Sequence, residues 1–227
     1  MFNNLMIIFV LSFAINSIAE EKKSAYENAI EETYKEIDET YKDENQKQKA
    51  KKFITEFFNK SKAYNKKAIK LSNERARYDI SLVWSQRNFD DKKYFENTIQ
   101  DHNNLKNNIS ESKKILIEAN KVMNEKIDSY PFNDPMKMNM KEGFSEVELD
   151  TNSSAMRLMN EFEKIIEINQ EVIKLIEKNN GKMIKKEENY HFKSEKDTVL
   201  YNKLIEKWNK SKANLVKIYD EKRSTAP

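Results

Sequence analysis

The sequence predicts an all-α fold: an elongated antiparallel bundle of about five helices, with coiled-coil-like hairpins and one long Pro-containing loop. Three observations carry this. Apolar residues recur every three or four positions through most of the chain, the period of a single helix face. On two long stretches that spacing settles into a seven-residue repeat, at which helices pack knobs into holes. The 227 residues hold two Gly and three Pro, too few for sheets with tight turns or for glycine-rich phosphate loops.

Residues 1–19 read as a signal peptide. Leu5 to Ile15 is apolar apart from Ser12, no charged residue precedes Glu20, and Ser17 and Ala19 put small residues where a signal peptidase cuts. The run is shorter than the roughly 20 apolar residues that span a bilayer. Met1 to Asn4 lacks Lys and Arg, so the positive start comes from the terminal amine alone. The alternative is an amino-terminal membrane anchor.

Residues 20–227 read as a single elongated domain. Ile30, Tyr34, Ile37 and Tyr41 give a first helix over 22–43, and the polar run Lys42–Gln48 a bend. A second helix over 46–88 carries Ile54, Phe57, Tyr64, Ala68, Leu71, Tyr78 and Leu82 on one seam that runs on to Phe89, with Ser61 and Arg75 as polar members. A third, over 91–128, repeats Phe95, His102, Ile109, Leu116, Met123 and Tyr130 at intervals of seven. The two series are out of phase. Asn88–Asp91 therefore reads as a helix–helix turn, with Asp90 or Asp91 as the next N-cap, rather than as a slip inside one very long helix. At 1.5 Å per residue these two helices would each run about 55–65 Å.

Ser129–Ser154 holds Pro131, Pro135 and Gly143 and reads as the one long non-helical connection. A fourth helix over 153–180 starts at a Ser153 or Ser154 cap, with Met159, Phe162, Ile166, Asn169, Ile173 and Ile176 on its seam. Asn179-Asn180-Gly181 is its stop. Met183–Ser194 is a connector. Asp197 is expected to cap a last helix over 196–222, with Leu204, Trp208, Ser211, Leu215 and Ile218 inward.

No Cys is present, which removes disulfides, thiolate metal sites, cysteine nucleophiles and a lipid-attachment cysteine. Charged residues make up 35% of the chain for a net +3, but the charge is sorted. Glu20–Asn45 has ten acidic residues and four Lys; Gln46–Asn88 has twelve Lys and Arg against Glu56, Glu74 and Asp79. One reading docks the acidic first helix on the basic second. The other makes the basic 46–88 helix a surface for an anionic partner, a lipid headgroup or glycan. Export argues against nucleic acid.

Candidate chemistry is sparse. Glu188 and His191 have the Glu-x-x-His spacing of di-metal sites, but such a site needs a second copy of the motif, and Ile99 stands three before His102, the other histidine. His102 lies on an apolar seam, as a core histidine does. Met136, Met138 and Met140 place three thioethers at alternate positions, a soft set suited to Cu(I); adaptable packing is the competing reading. The aromatics of 53–95 read mainly as core, with the rest open to a partner. No catalytic, cofactor-binding or metal residue is assigned, and no cofactor is expected. The expectation is a secreted or periplasmic, non-enzymatic interaction protein, adhesin-like, scaffold or chaperone-like, that binds a protein or itself through coiled-coil surfaces. The alternative is a membrane-active helical toxin.

Overall fold

A computed structural model describes residues 19–132, 135–145, 154–179, 183–186 and 189–224. The signal-peptide reading of 1–19 falls, apart from Ala19, outside the described residues. The chain is helical nearly throughout, with seven α-helices and one small hairpin among those residues. In order these are α1 (Ala19–Thr40), α2 (Glu44–Arg75), a 3-10 turn (Leu82–Trp84), α3 (Arg87–Asp90), α4 (Lys92–Asp128), α5 (Pro135–Ser145), α6 (Ser154–Lys178), β1 (Met183–Lys186), β2 (Asn189–Phe192) and α7 (Glu195–Ser224). Where one domain over 20–227 is expected, the contacts gather into two compact units: Met1–Asn73 with Ser112–Ala155, and Glu74–Glu111 with Met156–Pro227.

The first unit packs α1, α2, α5 and residues 112–128 of α4. Neighbouring helices run antiparallel, because their contacts converge on constant sums of position. Lys51 pairs with Asp38 and Thr55 bonds Tyr34; Lys126 pairs with Glu56 and Tyr64 bonds Glu118. Ile37, Ile54, Ala119 and Met123 are fully covered at the centre, and Phe53, Phe57 and Tyr130 close one end. Truncating one of these large side chains to Ala would cost about 2–5 kcal/mol.

The second unit has two apolar clusters. Leu105 and Ile109 meet Leu158, Phe162, Ile165, Leu215 and Ile218 in one; Val83 and Phe95 meet Val172, Ile176 and Leu204 in the other. Arg157 to Glu221 at one end and Lys178 to Asp197 at the other show that α6 and α7 are antiparallel.

Four sequence expectations need correction. The helix placed over 46–88 stops at Arg75. Apolar spacing continues beyond it, but Asp79 turns the backbone by accepting from the N–H and hydroxyl of Ser81 at 2.8 and 2.6 Å, a local bond that competes with the helix ladder. The freed carbonyls are taken up by amides: Asn88 Nδ2 donates to Leu82 and Val83, and Asn169 Nδ2 to Ile80. The break thus spans 76–91, not Asn88–Asp91 alone. Asp91 does cap α4, accepting from the Tyr94 N–H at 2.9 Å.

The loop expected over 129–154 contains α5, which starts on Pro135. Proline suits the first helical turn, where its missing N–H costs nothing. Lys137 donates to the Asp128 carbonyl and Lys141 pairs with the Asp128 carboxylate, tying α5 to the end of α4. The Met183–Ser194 connector holds an antiparallel hairpin, Met183 opposite Phe192 and Lys186 opposite Asn189. Its α7 cap is Ser194, whose hydroxyl accepts from the Asp197 N–H at 3.3 Å; Asp197 sits one turn further in.

Candidate functional site

Most candidate residues of the sequence have a definite place, and most of those are structural. His102 is 5% exposed on α4, and neither ring nitrogen has a hydrogen-bond partner. Burial, with Lys106 beside it, pushes its pKa below the ordinary histidine value. It is a neutral core residue. His191 lies in β2 opposite Ile184, while Glu188, the other half of the motif, is outside the described residues. Among the described residues no three His, Asp or Glu side chains cluster as metal ligands would.

The three methionines do not converge. On α5, Met136 and Met140 are one turn apart and buried, whereas Met138 is 60% exposed. The Tyr130 hydroxyl donates to Met136 Sδ at 2.9 Å and meets the Tyr41 hydroxyl at 2.8 Å. Met136 and Met140 belong to the first unit's core. The packing reading replaces the Cu(I) one, because a helix turns alternate positions to opposite faces.

The aromatics are spent in the same way. Phe53 meets Tyr130 edge-on at 4.8 Å, and Trp84 lies 5.6 Å from both Tyr201 and Trp208. The polar seam residues are bonded or stacked inside. Asn169 is 1% exposed, bridging Trp84 and Ile80. The Arg75 guanidinium lies 5.2 Å from the Phe162 ring, and burial lowers its pKa.

What remains outward is charge. α1 packs on α2 as the acid-on-base reading expects, with Lys51 paired to Asp38 at 2.7 Å and its ammonium 5.6 Å from the Tyr34 ring. That contact uses one lysine. Around α2 the acids are consumed one by one: Glu44 by Lys47, Asp38 by Lys51, and Glu56 by Lys126. The Lys126 bond also holds the Glu56 carboxyl below its usual range. Lys49, Lys52, Lys60, Lys62 and Lys66 are exposed and enter none of these pairs. At 100° per residue, Lys49, Lys52, Lys60 and Lys66 fall in a sector about 120° wide on the side away from Ile54 and Phe58.

Sequence reasoning found the basic helix but not which of its lysines are left over, since that depends on partners 13 and 70 positions away. Exposed apolar residues were also missed: Ile117 on α4 and Val199, Leu200, Val216 and Tyr219 on α7. Val199 and Leu200 are consecutive, and Val216 and Tyr219 lie about one helical turn apart. No known family model, curated protein or solved structure matches this chain.

Proposed function

We propose that this chain is an exported, non-enzymatic interaction protein that works through the outward faces of its helices. The observation that supports this is the sorting of charge on α2, where Glu44 and Asp38 pair with Lys47 and Lys51, Glu56 pairs with Lys126 of α4, and an exposed row of lysines is left. A row of fixed like charge on a rigid helix costs self-repulsion and attracts an anionic partner. Adhesin-like, scaffold and chaperone-like roles all draw on such a surface. Among the described residues no helix is long and apolar enough to cross a membrane, which favours surface docking over the toxin-type reading in which a segment inserts.

A photo-reactive residue at Ala63, exposed on that face, tests the reading against one at Ala213, exposed on α7. In the cells that make the protein, adducts are expected from position 63 and not from 213. Absence of adducts from both positions would sink the reading, and so would loss of the leader without a change in the protein's location.

A further inference from the structure

Resting on that reading, the inference names the partner of the α2 face. We propose that the lysine row of α2, centred on Lys52, Lys60 and Lys66, docks on the surface of an anionic lipid bilayer. The first argument is shape. The row lies along the crest of a helix, and Lys49 to Lys66 covers about 25 Å at 1.5 Å per residue. A convex line of cations matches a two-dimensional array of phosphates, whereas a single small anion is held in a concavity.

The second argument is what stands between the lysines. Glu56, Asn59 and Ala63 are the exposed neighbours on this crest. A protein interface is anchored by aromatic or large apolar side chains at its centre, and on α2 those residues, Phe53, Phe57 and Phe58, are buried in the core.

The third is the choice of cation. Every basic residue of α2 from Lys47 to Lys70 is Lys, and Arg first appears at Arg75. Arginine's planar fork suits fixed, bidentate recognition of one carboxylate or phosphate; lysine is a flexible point charge suited to mobile headgroups. Charge complementarity completes the case. Glu56, the acid on this stretch of the helix, lies between Lys52 and Lys60 and is paired with Lys126, so the row as a whole keeps a positive charge.

The test is co-sedimentation of the full chain with vesicles of phosphatidylcholine alone and of phosphatidylcholine with phosphatidylglycerol. Binding is expected to the second kind only, and to fall as salt rises. Each lysine near an anionic surface is worth about a fivefold change in partition. The Lys52→Gln/Lys60→Gln/Lys66→Gln variant should therefore lose more than about tenfold. Lys203→Gln/Lys207→Gln/Lys210→Gln, which removes the same charge from exposed positions of α7, should keep its binding. The Lys52→Arg/Lys60→Arg/Lys66→Arg variant should also bind, and circular dichroism of all three should remain helical.

Equal binding to neutral vesicles would overturn the proposal, as would equal losses in the two glutamine variants. Retention on heparin or polyglutamate without vesicle binding would also overturn it, in favour of a glycan or an acidic protein. Vesicle failure with position-63 adducts retained would leave the interaction reading standing and remove only the lipid.

Discussion

The indole N–H of Trp84 donates to the side-chain carbonyl of Asn169 at 3.1 Å, while the amide of the same Asn169 donates to the Ile80 carbonyl at 2.9 Å. One buried side chain thus satisfies both an aromatic donor and a backbone acceptor exposed by the helix break. Asn169→Ala should cost about 1–3 kcal/mol, since two part-buried groups lose their partners together. Urea unfolding followed by tryptophan fluorescence checks this. A loss no larger than that of Ser211→Ala, another buried seam substitution, would show that the bridge contributes little.

His102 makes stability depend on pH. Its folded pKa lies below the unfolded value of 6.5, first because it is buried and then because of Lys106. The unfolded chain therefore binds a proton that the folded one refuses, and stability rises with pH through that window. As pH falls from about 6.5 through the folded value, this contribution is progressively lost. His102→Leu also removes two ring nitrogens without hydrogen-bond partners, so it should unfold at equal or higher urea near neutral pH. Its midpoint should vary less between about pH 7.5 and 5.5 than that of the parent. Identical slopes in the two proteins would exclude the mechanism.

The methionines should react according to burial. Peroxide should oxidise Met138, 60% exposed, well before Met136 at 3% and Met140 at 6%, since reagent must reach the sulfur. Peptide mass spectrometry at increasing exposure times gives the order. Met136→Ala should cost about 2–4 kcal/mol through the cavity it leaves. Comparable rates at all three positions would mean that α5 does not hold Met136 and Met140 in the core.

How much of this was legible follows from how local each cause is. The α4 seam reads directly: Phe95, His102, Ile109, Leu116 and Met123 are all buried, as is Tyr130 just past the helix end, because seven-residue spacing maps onto one helix face without further information. The end of α2 does not read, because Tyr78, Leu82 and Phe89 keep the apolar rhythm. The break is held partly by Asn169, which lies 89 positions from the Ile80 carbonyl it caps. Pro135 looks like a breaker and is a starter. The hairpin has neither an Asn-Gly turn nor runs of β-branched residues to announce it. The α2 face was half visible: composition supplies the excess of lysine, while contacts at long sequence separation decide which lysines stay unpaired.

Asp197 joins the two ends of the α6–α7 hairpin and should govern its acid limb. Its carboxylate accepts from Lys178 at 2.8 Å and from Asn179 Nδ2 at 2.9 Å. These bonds, the lysine's first, hold its pKa below the ordinary 3.8. The folded state therefore keeps the carboxylate charged after the unfolded chain has begun to take up protons. The stabilisation is present above about pH 4 and is lost as pH falls through the folded value. Asp197→Asn should lower stability at neutral pH and flatten the pH dependence of the urea midpoint below about pH 4. Lys178→Met should do the same more weakly, because Lys178 is 64% exposed and its charge is screened by solvent. If Asp197→Asn unfolds at the parent's midpoint at neutral pH and with the parent's acid slope, the carboxylate is not what fastens the end of α6 to the start of α7.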